Sequence, residues 1–272
     1  MPLAIDLHLH TTESDGLLEP AALLRSVALA GLDYFAVTDH DTMAAYERHA
    51  AAFAPHAKRL ITGIEVSTTM NATEVHILGY NVGLGCAALT AILGSRSELR
   101  RQRAEKIIAK LNAAGVSISI AEVLRKTTGS IIGRPHIARV LVERKFALDN
   151  DDAFTRFIGA SGIAYVALSN LTAEQAIEAI RDCGGIAVLA HPGRNGVDVF
   201  IGELQRCGLQ GIETFSPSHT AHEAERFRTL AKSMHLVITA GSDFHQPTAW
   251  HPRPGVEIEE ADFAPFLELL HA

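Results

Sequence analysis

The sequence has few cysteines, a single tryptophan and no long hydrophobic run. Its three cysteines, Cys86, Cys183 and Cys207, are odd in number and far apart, so we expect no disulfide framework, as is typical of a reducing cytosol. No apolar run approaches the roughly 18–20 residues of a membrane-spanning helix. The first residues include acids and histidines where a signal peptide needs a basic start and an apolar segment. We therefore expect a cytoplasmic protein.

The sequence also has no excess of basic residues, since it contains 24 lysines and arginines and 31 acidic residues. The net charge of −7 excludes a globally basic surface for nucleic acids. A hydrophobic content of 47% is ordinary for globular proteins and excludes disordered, collagenous and coiled-coil chains. What the sequence does have in unusual number is histidine, with 14 residues.

Short β-rich runs alternate with helical patterns over most of the chain. The predicted strands are residues 3–9, 34–38, 60–66, 74–80, 186–190, 211–215 and 236–240. The predicted helices between and after them are residues 19–30, 43–53, 172–183, 199–207, 220–234 and 262–271. This alternation predicts an α/β protein with a mainly parallel sheet, which with about seven strands could close into a barrel.

The middle of the chain interrupts the alternation with helical patterns alone. We interpret residues 96–159 as a helical insertion into a core made of residues 1–95 and 160–272. Residues 96–145 contain 12 of the 24 basic residues and four acidic ones, a net charge of +8, which leaves −15 for the rest of the chain. A solvated helix face explains most of these charges, but the imbalance also indicates an anionic substrate.

Histidine, aspartate or glutamate lies at or near the end of every predicted strand. In parallel α/β barrels this is the end at which active sites form. Imidazole nitrogens and carboxylate oxygens suit Zn, Mn or Fe, and one zinc needs only three or four protein ligands. A larger set therefore predicts two or three divalent metal ions. The candidate ligands are His8, His10, Asp15, His40, Glu65, His76, His191, Asp243 and His245.

Seven short motifs occur in order between residue 4 and about residue 247. They are DLHLH at 6–10, SDG at 14–16, TDH at 38–40, GIE at 63–65, VHILG at 75–79, AHPGR at 190–194 and GSDFH at 241–245. Together they resemble the polymerase-and-histidinol-phosphatase (PHP) family. Within it the sequence is most similar to the branch of nucleoside 3′,5′-bisphosphate phosphatases and short-RNA 5′-exonucleases, whose helical insertion has an arginine motif like GRPHIAR at 133–139.

The resemblance implies a distorted (β/α)7 barrel with a metal cluster in its mouth and the insertion capping the C-terminal face. It implies one metal held by His8, His10, Glu65 and Asp243, a second held by Glu65, His76 and His191, and a third held by Asp15, His40 and His245. Glu65 is then the bridging ligand. The neighbouring acids Asp6, Asp39 and Asp41 are expected to orient histidine ligands rather than to bind metal.

The predicted reaction is metal-dependent hydrolysis of a phosphate monoester. The expected substrate is a small nucleotide, such as a 3′,5′-nucleoside bisphosphate, or a short oligonucleotide trimmed from one end. Metals bridged by Glu65 can lower the pKa of a shared water, so that hydroxide attacks phosphorus. Arg134 and Arg194 are the candidate phosphate-binding residues. His219 is expected to contact phosphate or to protonate the leaving oxygen.

Three alternatives stay open at this point. Histidinol-phosphate phosphatase is a rival within the same family, although the basic insertion favours a substrate with several charges. A metal-dependent amidohydrolase acting on C–N bonds is a second, since barrels with histidines at strand ends also perform that chemistry. A non-enzymatic metal-binding module attached to a polymerase is the third. We expect no membrane association and no obligate protein partner.

Overall fold

The computed structural model describes residues 1–168, 171–194, 196–249 and 251–271 as an α/β protein. The strands are β1 (Pro2–Leu9), β2 (Tyr34–Val37), β3 (Gly63–Met70), β4 (Thr73–Tyr80), β5 (Ile186–Leu189), β6 (Gly211–Phe215), β7 (Val237–Ala240) and β8 (Val256–Glu259). The helices are α1 (Pro20–Ala30), α2 (Ala44–Arg48), α3 (Ala50–Phe53), α4 (Ala87–Leu93), α5 (Arg96–Ala113), α6 (Ile120–Leu124), α7 (Arg134–Glu143), α8 (Asn150–Ala153), α9 (Ala173–Asp182), α10 (Ile201–Arg206), α11 (Ala221–Ser233) and α12 (Glu260–Leu270). A π-helical turn covers Phe154–Ile158, and 3₁₀ turns cover Ala54–His56 and Val197–Phe200.

The strands form two sheets, ordered β2-β1-β8 and β3-β4-β5-β6-β7. Among the described residues, the pairs β1–β2, β5–β6 and β6–β7 are parallel, whereas β1–β8, β3–β4 and β4–β5 are antiparallel. The prediction of a mainly parallel sheet is therefore confirmed only in part, because three of these six pairs are antiparallel. The physical reason at β3–β4 is a two-residue connection, Asn71-Ala72, with φ of 48° and 64°. Two positive φ values are typical of a type I′ hairpin, which joins antiparallel strands without a crossover helix.

Strand β8 was missed in the sequence pattern. Of its four residues, Ile258 alone is buried, so it lacks the apolar run by which the other strands are recognised. Its pairing with the first residues of β1, from Pro2↔Glu259 to Ile5↔Val256, makes it the edge of the smaller sheet.

Single β-bridges connect the two sheets on the side where the motifs lie. Leu9 at the end of β1 pairs with Phe244, just after β7, and His40 pairs with Glu65 on β3. The backbone amide of His10 also donates to the Phe244 carbonyl at 3.0 Å. The end of β1 is thereby held beside the segment after β7, and the segment after β2 is held beside the start of β3.

Two hydrophobic cores with different members support the molecule. The first core packs the two sheets against the surrounding helices, with residues such as Ile64, Ile77 and Ile212 fully buried. The second core gathers buried residues between Ala104 and Ala164. All of its buried members except Ala164 lie inside the predicted insertion, residues 96–159, whose boundaries stay a prediction.

Cys86 and Cys183 form a disulfide, which corrects the expectation from the sequence. The two residues are 97 positions apart, but α4 packs against α9 and brings their Cα atoms to 5.8 Å. Cys207 is free. Because disulfides are uncommon in reducing compartments, this bond does not favour the cytoplasmic location, which stays a prediction.

None of the helices in the described ranges combines the length and the apolar character that crossing a bilayer requires. The 18-residue helix α5 instead carries Arg96, Arg100 and Arg103 as buried residues.

Candidate active site

The nine predicted ligands converge at the bridged ends of the strands. Seven of them line a cavity of about 330 Å³, called here the metal-side cavity. The other two, His8 and His10, lie behind the lining and are completely buried. Their spacing on β1 places both side chains on one face of the strand.

One group has the spacing of a tetrahedral metal site. His8 Nε2 lies 3.3 Å from Glu65 Oε2 and 3.5 Å from Asp243 Oδ1. His10 Nε2 lies 3.4 Å and 3.2 Å from the same two oxygens. Ligand atoms about 2.0–2.1 Å from a tetrahedral ion are about 3.3–3.4 Å from one another. The four residues of the first expected site therefore have room for one ion between them.

Two further groups share residues with the first. Asp15 and His245 come within 3.2 Å of each other, and His10 and His40 complete a group of four around them. A third group contains Glu65, His40 and His76.

The third group differs from the expected second site in one member. Glu65 Oε1 lies 2.8 Å from His76 Nδ1 and 3.1 Å from His191 Nε2, as the resemblance implies. His40 also reaches Glu65, with its Nδ1 2.9 Å from Oε2, while its Nε2 faces Asp15. The imidazole of His40 thus stands between two of the expected metal sites, and the assignment of each ligand to one ion stays a prediction.

Buried atoms without hydrogen-bond partners show that this cluster fits cations. Among them are His8 Nε2, His10 Nε2 and Glu65 Oε2, which belong to the first group. Buried polar atoms in proteins are nearly always satisfied, so several such atoms around one point indicate a missing positive partner. The donor set of imidazoles and carboxylates is the one that Zn, Mn or Fe prefers.

The pKa values follow from burial and from the mutual attraction of these groups. Burial raises the pKa of the Glu65 carboxyl, but the neighbouring histidines, above all His40, hold it well below its usual range. Burial lowers the pKa of His76, yet the carboxylates of Glu65 and Glu74 together outweigh this effect and raise it to about 9. The pKa of His245 reaches about 9 in the same way beside Asp15. The Glu65 carboxylate is therefore ionised, and metal ions that bind His76 and His245 must displace protons from their imidazoles.

Glu213 is the acidic residue of the sixth predicted strand, and it was not among the candidate site residues. Its Oε1 lies 2.9 Å from His8 Nδ1, and its Oε2 accepts a 2.7 Å hydrogen bond from the backbone amide of His191. A carboxylate on the far nitrogen of a histidine ligand fixes its tautomer and orientation. A Cβ at Gly241 would lie 2.5 Å from the Glu213 carboxylate, so only glycine fits there. The signal available in the sequence was the position of Glu213 on β6.

Glu74 is a second residue that the pattern missed. It lies two positions before His76 on β4, so both side chains share one face of the strand. Its Oε2 pairs with Arg134 at 2.9 Å and lies 3.6 Å from an Arg103 nitrogen, while its Oε1 is 3.5 Å from His76 Nε2. Glu74 thereby links the metal cluster to the arginines of the insertion.

In the described part of the chain, Asp6, Asp39 and Asp41 form no hydrogen bond or ion pair with a histidine ring, contrary to expectation, although Asp6 accepts a hydrogen bond from the backbone amide of His8 at 3.2 Å. Asp6 accepts hydrogen bonds from the amide and hydroxyl of Ser242, and Asp39 accepts three from the loop after β1. Asp41 pairs with Arg100 at 2.7 Å. These acids position the loops that carry the ligands.

Three residues of the site have backbone angles that L-amino acids rarely adopt. The φ values are 52° for Asp41, 30° for His191 and 55° for Asp243. Each such residue costs on the order of 1–3 kcal/mol, and such strain is concentrated at functional sites. The surrounding hydrogen bonds hold these loops in the conformation that directs their side chains into the cluster.

Arg194 and His219 lie beside the His191 loop. Arg194 lines the metal-side cavity and pairs with Asp243 at 2.7 Å. His219 has both ring nitrogens engaged by the backbone, with Nδ1 3.0 Å from the Thr214 carbonyl and Nε2 3.3 Å from the Gly193 amide. Contacts of this kind support the loop, and the role of His219 as an acid stays a prediction.

A family model described as the PHP domain matches residues 6–262, which include all seven motifs and the whole cluster. The chain belongs to the PHP family. The resemblance of the motifs is therefore confirmed. This PHP protein is also similar to a curated protein of Salmonella typhimurium named 5′-3′ exoribonuclease Rnm, with 36% identity over 254 residues, 90% of this chain and 86% of the relative.

Two further matches come from Chromobacterium violaceum. A curated protein named 3′,5′-nucleoside bisphosphate phosphatase is 34% identical over 249 residues, 89% of this PHP chain and 87% of the relative. A solved structure described as an amidohydrolase with bound sulfate and no metal is 32% identical, with a TM-score of 0.89 over 97% of this chain and 95% of that one. The family and these relatives show that the PHP protein is a metal-dependent hydrolase of the phosphoesterase type.

Proposed function

We propose that this PHP protein hydrolyses a phosphate monoester of a small nucleotide, such as a 3′,5′-nucleoside bisphosphate, or trims short oligonucleotides from one end. The observation that carries this proposal is the cluster bridged by Glu65, which opens into the same cavity as five guanidinium groups. These belong to Arg100, Arg103, Arg134, Arg139 and Arg194. The names of the exoribonuclease and bisphosphate phosphatase relatives point to the same class of substrate.

We infer that two or three divalent ions, Mn, Fe or Zn, occupy the cluster, with the three ligand sets given above. Bound there, they would supply Lewis-acid activation of a water molecule and of the phosphoryl oxygens. Glu65 belongs to both the first and the second ligand set, so its carboxylate would be shared by the two sites. Glu213 keeps the Nε2 atom of His8 free for its ligand role, because it occupies Nδ1.

The arginines on the cavity wall are proposed to bind the phosphate and to stabilise its charge as the bond to phosphorus breaks. Arg194 is held against Asp243, and Arg100 against Asp41, so their guanidinium groups are positioned before substrate arrives. Preorganised charges of this kind stabilise a transition state without a reorganisation cost. The insertion, proposed as residues 96–159, supplies four of these five arginines and so caps the metal-side cavity.

We also propose that the two sheets are arcs of one distorted (β/α)7 barrel. The bridge Leu9↔Phe244 joins the two sheets between β1 and β7, and the bridge His40↔Glu65 joins them between β2 and β3. Both bridges lie beside the cluster. This arrangement agrees with active sites lying at the C-terminal ends of barrel strands.

Hydrolysis of a C–N bond is the second candidate, because the similar solved structure from Chromobacterium violaceum is described as an amidohydrolase. The five arginines around the cavity favour an anionic phosphate over a neutral amide. Histidinol phosphate is the alternative phosphoester.

The test is a screen of phosphate release from the metal-loaded protein with Mn²⁺ added. The substrates are nucleoside 3′,5′-bisphosphates, nucleoside monophosphates, short 5′-phosphorylated RNAs and histidinol phosphate. We expect release from a nucleotide or RNA at a kcat/KM well above that for histidinol phosphate. Release from none of them, together with hydrolysis of an amide panel, would replace the proposal with the amidohydrolase.

A further inference from the structure

A second cavity of about 660 Å³ adjoins the metal-side cavity. Arg134, Phe154 and Arg194 line both cavities, so the two share a wall. The remaining lining of the second cavity includes Tyr165 and Val197. Its volume lies within the roughly 300–1,000 Å³ that small-molecule sites occupy.

A tightly folded segment, which begins at the end of the insertion and continues just beyond it, brings two aromatic rings to this cavity. Phe154 begins the π-helical turn, and π-helical turns often occur at functional sites. A Cβ at Gly159 or Gly162 would lie 2.5 Å from the backbone of this turn, so both positions require glycine. The chain can therefore reverse its direction sharply after the turn. As a result, Tyr165 lines the same cavity as Phe154.

Arg134 stands between the two rings. Its guanidinium carbon is 5.5 Å from the centre of the Phe154 ring and 6.0 Å from that of Tyr165. Phe154 packs against the second core, whereas Tyr165 is half-buried outside the set of residues that form that core. The ring of Tyr165 therefore contributes less to the packing of the second core than Phe154 does. One face of this ring is available to a ligand.

The charges in the second cavity do not suit another phosphate. Its two arginines, Arg134 and Arg194, also line the metal-side cavity, where they are proposed to bind the reacting phosphate. Glu74 also lines the second cavity. A neutral, flat and aromatic group fits these surroundings better, because it can stack on a ring and on a guanidinium plane.

We propose that the second cavity binds the nucleobase of the substrate. The base stacks on Tyr165, and Arg134 forms the wall of the cavity beside it. The inference rests on the function proposed above and deepens it, since it explains why a nucleotide would be preferred over another phosphoester. The reacting phosphate sits in the metal-side cavity, and the base extends past Arg134 and Phe154. The hydroxyls of Thr73 and Thr155, on the same lining, offer hydrogen bonds to the edge of a base.

The test compares two substrates that differ only in the base. One is adenosine 3′,5′-bisphosphate, and the other is the matched sugar bisphosphate with hydrogen in place of adenine. With Mn²⁺-loaded wild type we expect kcat/KM to be at least about tenfold higher for the nucleotide, as stacking of one base typically provides. Tyr165→Ala should remove most of this preference while leaving the bound metal unchanged, and Tyr165→Phe should restore it.

Free adenosine and free ribose provide a second measurement that does not depend on phosphate chemistry. We expect adenosine, but not ribose, to inhibit wild type competitively, and Tyr165→Ala to weaken this inhibition. Ile163→Ala is the matched control, because Ile163 is 60% exposed and two positions away from Tyr165.

The outcomes separate this inference from the proposed function. If wild type hydrolyses both substrates equally, or if Tyr165→Ala leaves their ratio unchanged, the base lies elsewhere and the inference is wrong, although the phosphatase remains. If wild type hydrolyses neither substrate, the inference fails, and if it also releases no phosphate from the other nucleotides and short RNAs of the screen above, the proposed function fails with it.

Discussion

The metal cluster and the insertion bring their side chains to one cavity in different ways. In the cluster, fully buried ligands such as His8 and Glu65 are held by other buried groups and by loops with strained backbone angles. The insertion has a core of its own and presents charged and aromatic side chains from its surface, among them Arg134 at 17% exposure. The first arrangement is rigid enough for metal binding, and the second can change without disturbing it.

This contrast indicates a division of labour, in which the cluster carries out the chemical reaction and the insertion recognises the substrate. Residues bound into the cluster should affect metal content and turnover together. Insertion residues on the cavity wall, such as Arg134, should affect substrate binding alone. Glu74 is one contact between the two regions, since it approaches both His76 and Arg134, and the pair of Arg100 with Asp41 is another.

The largest effect is expected for Glu65→Ala. Removing the shared carboxylate leaves several buried imidazoles without their partner, so we expect loss of bound metal and a fall in kcat beyond the roughly 10²–10³-fold that one electrostatic group contributes. Metal content is measured by elemental analysis after desalting, and folding by circular dichroism. Glu178→Ala, on the exposed face of α9, is the control. Full activity in a metal-depleted Glu65→Ala protein would end the metal proposal.

Glu213→Gln should have the next largest effect. The substitution keeps the shape of the side chain but removes the charge that orients His8, and such partners typically change metal affinity by about 10–100-fold. Affinity is measured by competition with a chelator, with Glu203→Gln on α10 as the exposed control. At saturating metal, KM should stay unchanged. An unaltered affinity would mean that Glu213 only supports the His191 loop.

Arg134→Ala tests whether a residue of the insertion affects substrate binding without affecting metal binding. We expect KM for phosphoesters to rise about tenfold, near the lower end for losing a charge-assisted hydrogen bond, while metal content stays at the wild-type level. Steady-state kinetics and elemental analysis on the same preparation provide both readings. Arg125→Ala removes an exposed charge from the same insertion and should have no effect. The division of labour is refuted if Arg134→Ala loses metal, and unaltered kinetics would show that the insertion does not touch the substrate.

The smallest effect on the reaction is expected for the double variant Cys86→Ser, Cys183→Ser. Without this crosslink the free energy of unfolding should fall by about 2–4 kcal/mol, as measured by urea denaturation under non-reducing conditions. Neither cysteine lines the two cavities described above, so kcat and KM should not change. Cys207→Ser controls for the loss of a thiol. Equal stability of double variant and wild type would show that the bond does not form in solution.

Most strands and helices were predictable because their signals are local. The strand expected at residues 211–215 is β6 as observed, and the helix expected at 19–30 is α1 within one residue. The pairing of strands was less predictable, because a two-residue turn at Asn71-Ala72 decides it for β3 and β4. The long helix expected at 43–53 is divided into two short helices on either side of His49.

The ligand set was readable from the sequence because strand ends and two-residue spacing place side chains by local geometry. The supporting contacts were not, since they join distant segments: Glu213 and His8 are 205 positions apart, and Glu65 and His191 are 126 apart. No local pattern records which carboxylate will face which imidazole.

By itself, the sequence determined the family, the α/β class and the nine residues that meet in the cluster, because each depends on short motifs in fixed order. Only the tertiary structure decided that β3 and β4 form a hairpin, that Cys86 meets Cys183, and that Glu74 holds Arg134 between two aromatic rings. These are consequences of packing, in which burial and long-range hydrogen bonding select among contacts that the local sequence leaves equally open.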